Sequence, residues 1–156
     1  MPRKSKYEKK AFESSGAASD VSANLYESML LSDAWLHLTI QQQRLYLYCK
    51  LQFYSEKIKP IKDDPTSFTM NQAKWSTKYQ LYDKRNAKGF QRDLKALIDH
   101  GFISCVSSGA NTRTKSIYRF SSMWRKFGTD EFVISVHDMT SSMAKAFREH
   151  KAEEDR

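Results

Sequence analysis

The chain of 156 residues contains few cysteines, glycines and prolines, with two, five and three of each. Five scattered glycines cannot supply the Gly-rich loop that cradles a nucleotide phosphate. The two cysteines, Cys49 and Cys105, stand too far apart for a zinc knuckle, and we expect reduced thiols packed in the core rather than a disulfide. No apolar run approaches the ~20 residues of a membrane span, so the sequence predicts no membrane helix.

The sequence also has few residues that suit catalysis. Its four histidines are isolated, with no pair at the spacing of metal ligands: His37, His100, His137 and His150. Tyr46 and Tyr48 resemble the paired tyrosines of DNA-nicking enzymes, but the His-x-His cluster of those enzymes is missing and both tyrosines fall in an apolar helix. We therefore expect a non-enzymatic protein with no metal, no cofactor and no small-molecule ligand.

Basic residues outnumber acidic ones by eight, and most of this excess lies in one segment. Residues 60–128 carry thirteen Lys or Arg against five Asp or Glu, whereas residues 129–156 carry four against seven. A concentrated basic segment is typical of a protein that binds a polyanion such as nucleic acid. The alternative at this point is a basic surface that serves only solubility.

Composition divides the chain into three parts. Residues 1–24 combine five basic residues with a run of Ser, Gly and Ala, which predicts a flexible basic arm. Residues 25–127 carry the periodic apolar positions of one folded domain. Residues 128–156 are predicted to form a C-terminal extension with a helix at about 140–151. The arm contains no apolar signal segment, so we expect a cytoplasmic protein.

The apolar periodicity and the capping residues predict an α+β fold. The predicted elements are a helix over 40–56 capped by Thr39, a strand over 67–70, a helix over 72–79 capped by Asn71, a third helix over 84–100 capped by Asp83 and ended by Gly101, and strands over 102–107 and 116–121. The last two strands are close enough in sequence to form a β-hairpin.

The third predicted helix has a basic outer face. Outside its apolar stripe it carries long cations and amides, with only Asp93 and Asp99 to offset them. Such donors reach base edges and phosphates from a helix that lies in the major groove. The candidate DNA contacts of this segment are Lys84, Arg85, Asn86, Lys88, Gln91, Arg92 and Lys95. An ordinary solvated helix face is the alternative.

The predicted hairpin also has a basic tip. Its loop ends in the polar run Asn111–Lys115, which contains no acidic residue. We expect Arg113 and Lys115 to lie along phosphates or to enter a minor groove. In a helix-turn-helix followed by a hairpin, the second helix and the hairpin tip face the same side, so the two basic features support each other.

Over about residues 30–127 the sequence resembles the winged helix-turn-helix domains of plasmid, phage and conjugative-element proteins. The resemblance rests on packing positions in the segments 32–39, 45–46, 68–70, 98–103 and 116–124. It implies a three-helix core with a β-hairpin wing, and binding of double-stranded DNA by the third helix and the wing. It also implies a role on a mobile genetic element, in replication, transfer or transcription control, without selecting one.

The sequence therefore predicts a sequence-preferring double-stranded DNA-binding protein, as a monomer, a homodimer or part of a larger nucleoprotein assembly. Three alternatives stay open: a protein–protein adaptor on the same scaffold, a single-stranded nucleic-acid binder, and a nucleic-acid-processing enzyme. The tryptophans Trp35, Trp75 and Trp124 are expected to pack in the core. Tyr82, in a predicted turn, is expected to be exposed and able to contact a DNA backbone.

Overall fold

A computed structural model of the chain describes residues 9–109 and 114–134. Three sequence predictions lie wholly or partly outside these residues: the start of the basic arm, Arg113 at the hairpin tip, and the C-terminal helix. Residues 9–26 form turns and irregular backbone without a helix or strand.

The described chain is α+β, as the sequence predicts. Its elements are five α-helices, three strands and one 3₁₀ helix: α1 (Glu27–Leu30), α2 (Asp33–Leu36), α3 (Ile40–Ser55), β1 (Ser67–Met70), α4 (Gln72–Thr77), α5 (Ala87–Asp99), β2 (Ile103–Ser107), β3 (Ser116–Phe120) and the 3₁₀ helix Met123–Lys126. None of the helices in this described part is long and apolar enough to cross a membrane.

The three strands form one antiparallel sheet in the order β1-β3-β2. Tyr118 in the middle of β3 pairs with Phe68 of β1 on one side and with Cys105 of β2 on the other. The β2–β3 pair contains a register shift between Cys105 and Ser107. β1 therefore joins the hairpin through β3, although β1 is separated from β3 by two helices in sequence.

The helices begin where their capping side chains predict. Thr39 and Gln42 form a reciprocal capping box at the start of α3. The Asn71 side chain accepts a hydrogen bond from the Ala73 N–H at the start of α4. Two predicted caps are thereby confirmed, because these polar side chains satisfy amides that have no partner within the helix.

The helix α4 ends at Thr77, two residues before the predicted end at residue 79. The chain turns there because the Leu81 N–H returns to the Trp75 carbonyl at 2.9 Å. Gln80 adopts a φ of +49° to make this turn. A left-handed conformation is costly for a residue with a side chain, so this turn stores strain.

The helix α5 ends as predicted, with Gly101 in the left-handed region at a φ of +78°. A Cβ at this position would lie 2.6 Å from the backbone nitrogen of Trp124. The Trp124 N–H in turn donates to the Gly101 carbonyl at 3.0 Å. Glycine is therefore required both for the end of α5 and for the close approach of the 3₁₀ helix.

The core lies between α3, α5 and the sheet. The predicted apolar face of α5 is buried at Phe90, Leu94, Leu97 and Ile98, whereas Ala87 at its first position is exposed. Burial of these large side chains is the main favourable contribution to folding, at about 25 cal/mol for each Å² of apolar surface removed from water.

The helix α3 crosses this core and also carries one of the two cysteines. Leu45 and Cys49 are fully buried, and Tyr46 packs between Trp35 and Phe102 with ring centroids 5.8 and 5.0 Å away. Tyr46 therefore has the packing role that the sequence predicts. Both cysteines are buried and neither forms a disulfide, as predicted, and burial raises the pKa of the Cys49 thiol.

Candidate nucleic-acid interface

The basic helix α5 begins at Ala87, three residues later than the sequence predicts. Asp83 is not its N-cap, because the Asp83 carboxylate instead accepts from the Arg85 N–H at 2.8 Å and closes a turn. Asn86 takes the capping position. Lys84 and Arg85 thus lie in the turn before the helix and not in its first turns.

The Asn86 side chain is committed to this cap. Its Oδ1 accepts the Gly89 N–H at 2.9 Å. Gly89 leaves room for it, since a Cβ there would lie 2.6 Å from both Asn86 Nδ2 and Asn86 Oδ1. The Asn86 side chain thus has a local structural role at the start of α5 in addition to the DNA contact that the sequence predicts for it.

The other predicted contacts of this segment differ in exposure. Five of them are exposed to solvent: Lys84, Arg85, Lys88, Gln91 and Arg92. The Arg92 side chain has 73% of its surface accessible to solvent, while its Nε lies 3.2 Å from the Asp93 carboxylate. Arg92 is therefore held at its base and still open to a ligand. Lys95 is half-buried and forms an ion pair with Asp99 one turn later, so its charge is partly compensated.

Asp93 and Tyr82 both lie inside the protein, where the sequence predicts exposed residues. Asp93 is 1% and Tyr82 is 8% exposed. The Tyr82 hydroxyl donates to Asp93 Oδ2 at 2.8 Å, while the Tyr82 ring packs edge-on against Phe90 with centroids 5.4 Å apart. Burial, and then the neighbouring carboxylate, raises the pKa of the Tyr82 hydroxyl, which keeps it protonated as a donor. The prediction that Tyr82 contacts a DNA backbone is wrong, because its polar end faces inward.

Two glutamines of α3 hold the same region from the other side. Gln42 Nε2 donates to Asp93 Oδ1 at 3.3 Å, and Gln41 Nε2 donates to the Leu81 carbonyl at 2.7 Å. The first turn of α3 is thereby tied both to α5 and to the turn that precedes it. These contacts fix the direction of α5 relative to the core. Sequence reasoning missed them because consecutive glutamines carry no periodic signal of burial.

The helix α4 lies beside the start of this basic segment. A surface groove separates the two, lined by Ala73, Ser76, Thr77, Tyr82, Asp83 and Lys84. The side chains that α4 contributes to this groove are small, which allows another molecule to approach closely. Lys84 therefore stands at the edge of the exposed face of α4.

Lys115 approaches α4 from the hairpin side. It is exposed and precedes Ser116, which pairs with Met70 directly before the Asn71 cap of α4. Burial, and then the charge of Lys78, lower the pKa of Lys74 on α4; Glu56 raises it, and the charge of Lys115 also lowers it. Lys115 and Lys74 are consequently close in space. Sequence reasoning missed Lys74 and Lys78, although their spacing of one helical turn is a signal that places both on one side of α4.

The large aromatic residues serve mainly in packing. Trp75 is fully buried and Trp35 is 7% exposed. Trp124 is half-buried and stacks on Phe102 with an interplanar angle of 8°. Neither Trp35 nor Trp75 presents a ring face on which an unpaired base could stack, which removes one reason for proposing single-stranded nucleic acid as the partner.

Comparisons with family models, curated proteins and solved structures returned no match for this chain. Within residues 9–109 and 114–134, no three histidine, cysteine or acidic side chains converge as metal ligands would. The function must therefore be inferred from the exposed basic residues and from the fold that positions them.

Proposed function

We propose that this chain is a non-enzymatic, sequence-preferring double-stranded DNA-binding protein with a winged helix-turn-helix domain. The element order α3-β1-α4-α5-β2-β3 and the pairing of β1 with β3 are compatible with this fold. In it, α4 and α5 form the helix-turn-helix and the β2–β3 hairpin forms the wing. The domain spans residues 25–127, between the basic arm and the C-terminal extension.

One observation carries this proposal: the two basic features border the same helix. Lys84, at the start of the α5 segment, lines a groove with α4. Lys115, at the loop end of the hairpin, acts electrostatically on Lys74 of α4. Basic residues that flank one exposed helix from two sides can act together on the two sugar-phosphate strands beside a groove.

In the proposed complex α5 lies in the major groove. An α-helix with its side chains is about 10–12 Å across, and the groove is about 12 Å wide. Lys88, Gln91 and Arg92 are exposed on α5 and carry donors long enough to reach base edges. Arg92 can grip a guanine through two nitrogens, whereas Lys84 and Arg85, in the preceding turn, are placed to contact phosphates.

The wing contributes contacts that do not depend on base sequence. Lys115, and by sequence Arg113, lie along a flanking phosphate strand or enter a minor groove. No catalytic group, metal or cofactor is part of the proposed mechanism. The partner is duplex DNA, and a homodimer or larger nucleoprotein assembly is compatible with palindromic targets.

The biological setting follows from the resemblance alone. We place the protein on a plasmid, phage or conjugative element, where its target is an operator, a replication origin or a transfer origin. Its two cysteines are buried and form no disulfide, which agrees with a reducing compartment, and we assign the protein to the cytoplasm.

The proposal is tested by selecting binding sites from a random pool of duplex DNA and footprinting the protein on the selected site. We expect one enriched motif and a protected stretch of about one or two helical turns. Recovery of unenriched sequences, or of single strands in preference to duplexes, would overturn the proposal. Labelled duplex incubated with Mg²⁺ should be recovered intact, since cleavage would support an enzyme instead.

Two variants separate base contacts from general charge. Arg92→Ala should weaken binding to the selected site by about 1–3 kcal/mol and relax the preference at one base pair. Arg125→Ala is the matched control, because Arg125 is also exposed but lies on the 3₁₀ helix, over the ring of Trp124. Equal losses for the two variants would show that α5 does not read the sequence.

A protein–protein adaptor is the second candidate, because one end of the molecule exposes apolar side chains. Leu36 at the end of α2 is 63% exposed and Ile40 at the start of α3 is 77% exposed. An adaptor predicts no affinity for DNA that depends on salt concentration. The proposed DNA binder predicts a steep loss of affinity with salt, because each phosphate contact releases counterions.

A further inference from the structure

The helix α4 carries two lysines that the proposed recognition by α5 does not use. Lys74 and Lys78 are one helical turn apart, and their ammonium groups lie 5.7 and 5.5 Å from the centroid of the Tyr79 ring. Lys78 is exposed and Lys74 is half-buried. The two charges are therefore gathered around one aromatic ring.

Lys115 adds a third charge to this group. The pairing of Ser116 with Met70 brings the loop end of the hairpin beside the start of α4. Burial has the largest effect on the pKa of Lys74 and lowers it, and the positive charge of Lys78 lowers it next. Glu56 raises this pKa, and Lys115, which ranks after Glu56, lowers it. Neighbouring like charges raise the energy of the folded protein, and an anion bound among them would relieve this repulsion.

The three lysines have little compensation from acidic side chains. None of the four ion pairs found among the described residues includes Lys74, Lys78 or Lys115. Lys74 donates instead to the neutral Oε1 of Gln52. An ammonium group has three hydrogens, so this single acceptor leaves donors for a further ligand.

Among the described residues, Glu56 is the carboxylate that raises the pKa of Lys74, and other donors hold it. Glu56 Oε1 accepts from the Thr69 N–H at 3.0 Å and from the Thr69 hydroxyl at 2.6 Å. Its Oε2 is buried without a hydrogen-bond partner in the described structure. Glu56 thus attracts Lys74 from inside the protein, whereas the charges of Lys78 and Lys115 on the surface are not paired with a carboxylate in any of the four ion pairs.

We propose that Lys74, Lys78 and Lys115 form a binding site for the backbone phosphates of duplex DNA. This inference rests on the proposed function and adds a contact surface to it. Lysine binds phosphate as a point charge, with no requirement for a planar partner, so the site accepts any base sequence. The site therefore positions the duplex against α4 while α5 reads it.

The test removes all three charges in the variant Lys74→Gln, Lys78→Gln, Lys115→Gln. The control removes three exposed lysines from elsewhere on the surface, in Lys57→Gln, Lys62→Gln, Lys126→Gln. Fluorescence anisotropy measures the affinity of each protein for the selected duplex and for a scrambled duplex over a range of salt concentrations. Circular dichroism verifies that each variant is folded.

We expect the cluster variant to bind both duplexes at least about tenfold more weakly, with an unchanged ratio between them. Its plot of log affinity against log salt should be shallower by about 1 for each lysine that contacts a phosphate. The control should keep the wild-type slope. The phosphate site is overturned if the cluster variant keeps the wild-type slope, or if the control loses as much affinity as the cluster variant. Either result leaves the proposed function standing. Absence of duplex binding by the wild-type protein overturns both.

Discussion

Replacement of Tyr82 by Phe tests the contact that holds the basic helix in place. The change removes only the hydroxyl, which donates to the buried Asp93 Oδ2 at 2.8 Å, and retains the ring that packs on Phe90. A hydrogen bond to a charged group contributes about 1.5–3 kcal/mol, and a buried oxygen left without a donor costs a similar amount. We therefore expect the free energy of unfolding to fall by about 2 kcal/mol.

Urea unfolding followed by circular dichroism measures this loss. At about 4 °C for each kcal/mol, the melting temperature should fall by about 8 °C. Tyr26→Phe is the matched control, since Tyr26 is 66% exposed, and it should change stability by less than about 0.5 kcal/mol. A double-mutant cycle with Asp93→Asn should give a coupling energy of about 1–2 kcal/mol.

Two results would refute this reasoning. If Tyr82→Phe is as neutral as Tyr26→Phe, the hydroxyl does not support Asp93. If the effects of Tyr82→Phe and Asp93→Asn simply add, the two side chains do not interact. A variant that keeps its stability but loses affinity for the selected duplex would show that the Tyr82 hydroxyl faces the DNA.

Three further predictions concern the ends of α5 and the loop before β1. Asn86→Ala should cost about 1 kcal/mol, and Gly89→Ala should destabilise the wild type but stabilise the Asn86→Ala variant, where the added Cβ has room. Gly101→Ala should cost at least about 2 kcal/mol, since it combines a left-handed conformation with a clash against backbone. Asp64→Asn should lower the free energy of unfolding by about 1 kcal/mol at pH 7 and by progressively less below about pH 4. The reason is that hydrogen bonds from Thr66, and then Arg119, lower the pKa of the Asp64 carboxyl in the folded protein.

Chemical denaturation measures all three, and each has an outcome that contradicts it. If Gly89→Ala has the same effect on stability in the wild type and in the Asn86→Ala variant, the Asn86 side chain does not fill the space beside Gly89. If Gly101→Ala leaves the free energy of unfolding unchanged, the 3₁₀ helix must lie farther from the end of α5 than the structure shows. The Asp64 carboxyl has a lower pKa in the folded state than in the unfolded state. Its contribution to stability is therefore full above the ordinary carboxyl pKa and is lost as the pH falls from there through the lower pKa of the folded state. A difference between wild type and Asp64→Asn that stays constant down to pH 2 would argue against the interaction with Arg119.

Local signals in the sequence predicted most of the fold. Thr39 and Asn71 were recognisable as caps because a short polar side chain there satisfies a helical amide. Gly101 was recognisable as the end of α5 because its position follows the last apolar residue of the stripe. These features depend on neighbours within a few residues, which a sequence displays directly.

The start of α5 was harder to place because two capping residues compete. Asp83 and Asn86 are both good N-caps, but Asp83 closes a turn with the Arg85 N–H, and the missing side chain of Gly89 leaves room for the Asn86 cap. Asp93 was misjudged as an outward charge, although its spacing of three from Phe90 puts it on the buried face. Its partner Tyr82 stands in a turn, and no local pattern shows that the two side chains meet.

The exposed basic surface was predicted only in part. Lys88 and Arg92 were accessible to sequence reasoning because they lie on a helix whose apolar stripe is clear. Lys74 lies in a helix of six residues and Lys78 is its C-cap, so their spacing shows that they share a side but not that this side is functional. Their closeness to Lys115 depends on the pairing of β1 with β3. Long-range strand pairing is the part of the fold that local propensities describe least well.

The most direct measurement of the proposed DNA surface is NMR mapping of backbone amide signals while a duplex carrying the selected site is added. The DNA-binding account predicts shifts concentrated in α5 and the turn before it, in α4, and around Lys115, which weaken together as salt is raised. Shifts concentrated instead around Leu36 and Ile40, or no shifts at a concentration that saturates footprinting, would contradict it.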